Sequence, residues 1–243
     1  LTAVQISLIL KTDKNRGRTM RLTERNVKET GREYALRMLK ENIINLDLIP
    51  GSMLSENELS AEMNLSRTPV REALIELSKV KIVEVYPQKG SAVAFVDYEL
   101  VEEARFMRDV LEGAVVELAC RMASEKDIWD LRENVRLQEF YMENRFPEKL
   151  LELDNEFHQM LFHITSKDQV YHLLDSITIH FDRVRRMSLA VVKDLKTISD
   201  HKEIVEAIAA KSGEEAKRLM EKHLSRYKFD EEALRKEYPG YFK

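Results

Sequence analysis

Apolar positions recur every three to four residues over most of the chain and every second residue in one short stretch, and that change of period divides it. Between Thr23 and Leu46, Ala35, Leu39 and Ile43 fall four apart with Leu36 beside them, which predicts an amphipathic helix stopped by Pro50-Gly51. Ser55-Glu56-Asn57-Glu58 reads as a capping box, Ser and Glu satisfying each other's exposed backbone donors, and opens a short helix that Asn64 closes after Met63. Ser66 is placed to cap a further helix with Val70, Leu74 and Leu77 on one stripe; Pro69 falls in its first turn, where a missing N–H is harmless. After Lys79 the period drops to two. Ile82 to Tyr86 and Ser91 to Val96 predict strands, and Pro87-Gln88-Lys89-Gly90 between them predicts a hairpin turn. Three helices and a β-hairpin follow one another in the order of a winged helix-turn-helix.

Beyond Asp97 only helical periods remain. They run from about Asp97 to Ala123, Lys126 to Glu143, Pro147 to Thr165, Gln169 to Ala190, Asp194 to Lys211 and Glu214 to Lys236, with breaks at Ser124, Phe146-Pro147, Ser166 to Asp168 and Ser212-Gly213. The expected fold is mainly α, an N-terminal winged helix-turn-helix followed by an all-α six-helix bundle. Residues 1–22 read as a disordered lead, or one added by cloning, with Met20 a candidate natural start. Residues 23–96 then form the winged unit and 97–243 the bundle.

Composition narrows the class. A chain of 243 residues with 44% hydrophobic and 34% charged residues, 7 Gly and 5 Pro is an ordinary globular protein, neither low-complexity nor collagen-like. The longest unbroken apolar run, Ala92 to Val96, is far below the roughly 20 residues of a membrane helix. Val4 to Leu10 is too short and too interrupted for a secretory signal, so a cytoplasmic protein without membrane partners is expected. The single Cys120 lies in an apolar stretch and reads as a buried, inert thiol. Net charge is +3 over residues 1–19, zero over 20–90 and −7 over 91–243. The back half is therefore a poor polyanion binder, and contacts to nucleic acid must come from local basic positions in the front.

Those positions are concentrated. The second helix of a helix-turn-helix enters the major groove by its N-terminal end, which here is Ser66-Arg67-Thr68-Pro69-Val70-Arg71. Arg67 and Arg71, four apart, share a face and can each take a guanine edge or clamp a phosphate, unless they are simply a solvated surface. Ser66 and Thr68 suit phosphate oxygens. Lys89 and Gly90 at the hairpin tip suit a wing against the backbone or minor groove.

The ordered set Pro50-Gly51, Leu54-Ser55-Glu56, Glu58-Leu59, Ser66-Arg67-Thr68-Pro69-Val70-Arg71-Glu72-Ala73-Leu74 and Pro87-Gln88-Lys89-Gly90 closely resembles the N-terminal domain of the GntR family of bacterial transcription regulators. The resemblance covers roughly residues 30–96. It implies a homodimer on a short pseudopalindromic double-stranded DNA operator, with Arg67 and Arg71 as base readers, Ser66 and Thr68 on phosphates, and Lys89 and Gly90 in the wing. Asn57 stands where many members have Arg, which weakens any contact at that position.

In the helical half, Asp154 and His158 lie at i and i+4 on one expected helix, His201 sits on the apolar stripe of another, and His223 follows Leu219 and Met220 on the next. Three inward-facing imidazoles and a carboxylate can converge on a divalent cation, or each His can be an ordinary hydrogen-bonded core residue. The bundle also resembles the FCD ligand-binding domain of the FadR subfamily, through Arg108-Asp109-Val110-Leu111-Glu112, Asp154-Asn155-Glu156-Phe157-His158, and His201 with Ile204, Ala207-Ile208, Gly213, Ala216, Met220 and His223-Leu224. That resemblance implies Asp154, His158, His201 and His223 as metal ligands, with zinc, nickel or manganese equally suited. It further implies a small carboxylate metabolite beside the metal, its charge met by an Arg: Arg108 first, then Arg183 and Arg186. An internal Arg108–Glu112 pair is the competing reading of Arg108. Asp168 replaces the Asn usual in the family, and His163, His172 and His180 match no ligand position.

Together these readings give a cytoplasmic, homodimeric DNA-binding regulator, most simply a repressor, controlled by a carboxylate at a metal site. Its rivals are a constitutive DNA-binding dimer with a structural metal and a metal-dependent hydrolase. The hydrolase is disfavoured by the lack of an HExxH motif, a general base beside the ligands or a phosphate-binding Gly loop.

Overall fold

The computed structural model of the protein describes residues 20–191, 196–226 and 231–243. Helix α1 (Gly31–Ile44) starts later than its apolar period suggests, because Thr30 and Glu33 form a full capping box. Upstream, residues 20–29 run alongside the helix. Arg37 holds them, donating from Nη2 to the Glu24 carbonyl at 3.1 Å and from Nε to Glu29 Oε1 at 2.7 Å. Met20 is buried with its N–H on Glu62 Oε1 at 3.0 Å, and the Arg21 N–H donates to the buried Asn42 Oδ1 at 2.7 Å. Met20 and Arg21, assigned to a disordered lead, are thus hydrogen-bonded to the winged unit, while Leu22 is exposed; residues 1–19 of that lead lie outside the described residues.

Strand β1 (Met53–Leu54) precedes α2 (Glu56–Glu62), whose N-cap Ser55 accepts from the Glu58 N–H at 3.3 Å. Asn64, at φ 52°, reverses the chain into α3 (Arg67–Lys79). Strands β2 (Val83–Tyr86) and β3 (Gly90–Val93) form the hairpin, antiparallel in the order β1-β3-β2. Gly90, at φ 101°, occupies a backbone region that only glycine adopts freely, which fixes it at the end of the turn. Tyr34, Met38, Leu39, Leu59, Leu74, Leu77 and Ile82 fill the core under this sheet.

Asp97 caps α4 (Tyr98–Met122), and a Ser124–Asp127 capping box opens α5 (Glu125–Glu143). Then follow α6 (Pro147–Ile164), α7 (Asp168–Ile177), α8 (Ile179–Val191), α9 (Lys196–Ala209), α10 (Gly213–Ser225) and α11 (Glu231–Glu237). The run expected from Gln169 to Ala190 is therefore two helices. Its break at Thr178 lies in the β-branched run Ile177-Thr178-Ile179, and the Thr178 hydroxyl donates to the Asp175 carbonyl, competing with the helical ladder. The last expected run, Glu214 to Lys236, holds α10 and α11, and residues 227–230 between them lie outside the described residues. Helices α4, α9 and α10 pack together and α5 packs on α6, around Val116, Leu131, Phe157, Leu161, Ile204 and Met220, with Cys120 buried among them.

The two halves are joined by polar contacts. Lys40 Nζ on α1 pairs with Asp175 Oδ2 at 2.6 Å, and His180 Nε2 meets the Val80 carbonyl at 2.9 Å. Val96 pairs in parallel with Phe242, so the chain's end is stitched to the connection between β3 and α4. Among the described residues no helix is long and apolar enough to cross a membrane.

Candidate nucleic-acid interface and metal centre

Helix α3 presents Ser66, Arg67, Thr68 and Arg71 to solvent beside an open groove of about 680 Å³, and the hairpin tip with Lys89 and Gly90 forms its far wall. Ser66 occupies the N-cap position but makes no side-chain cap hydrogen bond, contrary to the capping expected of it. A hydroxyl beside first-turn N–H groups, rather than bonded to them, suits an anion from outside. The sequence reading missed Glu56. Its carboxylate accepts from Arg71 Nε at 3.0 Å and Nη2 at 2.9 Å, and from Arg67 Nη2 at 3.4 Å. The Arg71 bonds hold the Glu56 carboxyl below its ordinary range. Placement on the first turn of the preceding helix, facing two arginines four apart, was the available signal.

Asp154 and His158 from α6, His201 from α9 and His223 from α10 converge, with one potential ligand atom from each inside a 4.8 Å span. All four are buried. His223 Nε2 lies 3.2 Å from His158 Nε2 and 3.3 Å from His201 Nε2; Asp154 Oδ2 is 3.6 Å from His158 Nε2 and Asp154 Oδ1 3.5 Å from His201 Nε2. Each outer imidazole nitrogen has its own surroundings. His158 Nδ1 is 2.5 Å from Glu112 Oε2, His201 Nδ1 is 2.9 Å from Gln138 Oε1, and His223 Nδ1 faces Asp200 at 3.9 Å without a hydrogen bond. Burial lowers the pKa of all three imidazoles, so they are neutral and hold lone pairs. Three neutral Nε2 atoms and an anionic oxygen thus face one another. That donor set fits a divalent cation, and imidazole with carboxylate suits zinc, nickel or manganese alike.

Arg108 donates from Nε to Glu112 Oε1 at 2.6 Å, so the internal ion pair is present. Burial pushes the Glu112 carboxyl up, but Arg108 and His158 outweigh it and hold it at about 2. Arg108 also lines a small cavity of about 20 Å³ next to His158, with Asn155, Tyr171, Asp182 and Arg185. Arg183 and Arg186 do not line that cavity. Arg183 is fully buried on the opposite face of α8 and donates to the Ala94 and Phe95 carbonyls at 2.7 and 3.2 Å. The arginine that does enter is Arg185, which the sequence reading passed over. It pairs with Asp154, and its Nη1 donates to Asp182 Oδ1 at 2.8 Å and Asn155 Oδ1 at 2.7 Å. Its spacing from Asp182, three apart on one helix, marks a candidate ion pair but not the face of α8 that meets the cavity.

A family model for the bacterial regulatory proteins of the gntR family matches residues 32–93, and the model of the FCD domain matches residues 103–226. The chain is 30% identical to the HTH-type transcriptional repressor RspR of Escherichia coli strain K12 over 221 residues, 90% of this chain and 97% of that protein. It is 33% identical to an uncharacterized HTH-type transcriptional regulator in an unstable DNA locus of Streptomyces ambofaciens, over 88% of this chain and 90% of the relative. Among solved structures, E. coli McbR/YncC superposes with a TM-score of 0.74 at 20% identity, covering 86% of this chain and 99% of that one. A GntR regulator from Rhodococcus sp. RHA1 gives 0.65 at 22% identity, covering 86% and 98%.

Proposed function

Because the chain belongs to the GntR family of bacterial regulatory proteins and carries an FCD domain, it is a DNA-binding transcriptional regulator and not an enzyme, and we propose that it is a metabolite-controlled repressor of the FadR subfamily. Residues 23–96 form its operator-binding unit and residues 97–243 its effector- and metal-binding unit. It acts in the cytoplasm as a homodimer on a pseudopalindromic operator, Arg67 and Arg71 reading bases, Ser66 and Thr68 meeting phosphates, and Lys89 and Gly90 lying along the backbone. The observation that carries the regulatory part is the convergence of Asp154, His158, His201 and His223 from three helices beside Arg108 and Arg185.

A divalent cation on those four ligands would supply a Lewis-acidic position for an oxygen of the effector. The remaining work falls to this chain's own side chains. A cavity of about 20 Å³ has room for about one water, so a metabolite carboxylate enters only by taking Arg185 or Arg108 from the acidic partners that hold them. Arg185 is bound to Asp154 and Asp182, and Arg183 on the same helix is bound to the carbonyls where β3 leads into α4. Repacking α8 thereby alters the placement of the winged unit. In a dimer that changes the separation of two recognition helices, to which half-site binding is sensitive.

The test uses an operator selected from random duplexes by the purified protein, with affinity followed by fluorescence anisotropy. Zinc-loaded and zinc-stripped samples are each titrated with a panel of small mono-, di- and hydroxycarboxylates. At least one carboxylate is expected to weaken operator binding by about five- to 150-fold in the loaded sample only, the usual range of allosteric coupling. Equal operator affinity throughout the panel, in both samples, would remove metabolite control and leave a constitutive DNA binder.

A further inference from the structure

We infer that Gln138, backed by Asn134, is a positioning residue for the metal centre: it sets the tautomer of His201 and thereby aims the Nε2 lone pair at the other three ligands. The inference rests on the metal reading of those four residues. Its basis is a buried chain of hydrogen bonds that runs through α5, a helix that contributes no ligand. His201 Nδ1 lies 2.9 Å from Gln138 Oε1, Gln138 Nε2 lies 2.7 Å from Asn134 Oδ1, and Asn134 Nδ2 lies 3.1 Å from the Leu153 carbonyl oxygen.

The far end of this chain decides every orientation in it. A backbone carbonyl can only accept, so the Asn134 atom facing Leu153 must be its amide nitrogen. The Asn134 oxygen then faces Gln138, which must present its own nitrogen there and its oxygen to His201. Only one arrangement remains for the imidazole: Nδ1 carries the proton and donates, and Nε2 is left with its lone pair. Amide flips and His tautomers are normally open choices; here the Leu153 carbonyl closes them in sequence. Leu153 also immediately precedes Asp154, so the relay connects the backbone beside one ligand to the ring of another.

A purely structural role explains the arrangement less well. Gln138 and Asn134 are 1% and 4% exposed, and His201 is wholly buried with its ring stacked on Phe157 at a centroid distance of 4.1 Å. Packing alone would be met by an apolar side chain at 138, which carries no requirement for hydrogen-bond partners. The polar chain has a cost that an apolar core avoids, and what it supplies in return is a defined tautomer. His158 is oriented differently, by the charged Glu112, so the relay gives His201 a neutral acceptor and adds no charge to the site.

Two measurements test this on the full-length protein. In metal-free protein labelled with ¹⁵N-histidine, long-range ¹H–¹⁵N spectra report which His201 nitrogen is protonated. Nδ1–H is expected, and Nε2–H as the dominant form overturns the proposal without any variant. Cobalt(II) affinity, measured against a competing chelator and by the visible spectrum of the bound ion, is then compared for wild type, Gln138→Leu and Gln138→Glu. Gln138→Leu is expected to lower affinity about ten- to 100-fold, as loss of an outer partner of a metal-bound His does, with His201 no longer confined to one tautomer. Gln138→Glu keeps an acceptor and is expected to stay within severalfold of wild type with the same spectrum. Wild-type affinity in a folded Gln138→Leu protein overturns the proposal. Absence of cobalt binding by the wild type refutes the metal reading itself, a result distinct from either.

Discussion

Replacing Arg67 or Arg71 by alanine separates two things a guanidinium at the start of a recognition helix can do. Arg67 and Arg71 side chains are 59% and 56% exposed, and Glu56, 27% exposed, is their shared partner. Exposed pairs of this kind contribute about 0–1 kcal/mol to stability, so both variants should melt within a few degrees of wild type. The effect belongs to DNA binding. Glu56 takes the Nε and Nη2 side of Arg71, so the Nη1 side remains for an end-on approach to a base edge. A bidentate guanine contact contributes about 1–3 kcal/mol of discrimination, so each variant should lose about five- to 150-fold in preference for the operator over a duplex with that guanine replaced. The assay is anisotropy with operator, single-substitution and scrambled duplexes at several salt concentrations. A base reader flattens the preference and leaves the salt slope nearly unchanged. A phosphate clamp instead weakens all duplexes by one factor and reduces the log–log salt slope by about 0.9. The second pattern for both arginines would refute the base-reader assignment, and Glu56 would then be no more than a surface counter-ion.

Other expectations are briefer. Stripping metal with a chelator should lower the melting temperature; at a cation concentration a thousandfold above Kd the linkage is about 4 kcal/mol, roughly 8–16 °C for a chain of this size, and an unchanged melting point would refute the ligand set. His180 is held neutral, its pKa lowered from 6.5 to about 4 first by burial and then by Arg183, with Lys243 acting the same way and Val80 and Asp97 opposing. Its contribution is therefore complete above about pH 6.5 and is lost as pH falls through 4, a total on the order of 3 kcal/mol. The difference in stability between wild type and His180→Gln should shrink over that window, and a difference that stays constant from pH 7 to 4 would contradict this. Arg183, its pKa lowered to about 9 by burial and with no carboxylate partner among the described residues, should tolerate Arg183→Met with a change under about 2 kcal/mol, since removing a buried charge offsets two unpaired carbonyls. Hydrogen exchange at Ala94 to Val96 should accelerate in that variant; slower or equal exchange would show that the carbonyls are held by something else.

The fold was legible where local chemistry and periodicity agree. Val70, Leu74 and Leu77 on one stripe, the Ser55 cap and the Pro87–Gly90 turn each carry their structure within a few residues, and the helix-turn-helix and hairpin follow from them. At α1 the two disagree: the apolar period extends back toward Thr23, but the Thr30–Glu33 box sets the start of the helix. β1 escaped because a strand of two residues has no period at all: Met53 and Leu54 are strand only through pairing with Ala92 and Ser91. At the candidate sites the difference is again one of range. Asp154 and His158 are visible as an i, i+4 pair, and resemblance aligned His201 and His223 with them. Glu56, Arg185 and the Gln138–Asn134 relay depend on which face of one helix meets another, information a single-chain period does not hold. Arg183 and Arg185 make the point sharply, since two residues along a helix separate an interface from a cavity.

That separation also says how the two halves of the molecule are mechanically related. On α8, His180 and Arg183 face the winged half, bonded to the Val80, Ala94 and Phe95 carbonyls, while Asp182 and Arg185 face the Asp154, His158, His201 and His223 cluster. Phe181 lies beneath Arg108 and Arg185, at 4.7 and 5.8 Å from its ring centre, so the cationic side of the cavity rests on the same helix. Two residues along a helix are about 3 Å apart along the axis, and packed interiors transmit displacement rather than absorb it. A shift of α8 that follows Arg185 away from Asp154 must therefore move Arg183 against the end of β3. At its N-terminal end α8 follows α7 after Thr178 alone, and Asp175, three residues before Thr178, holds Lys40 of α1. The helix is thus held by both halves, Arg183 and His180 toward one and Asp182 and Arg185 toward the other, so a displacement on one side is felt on the other.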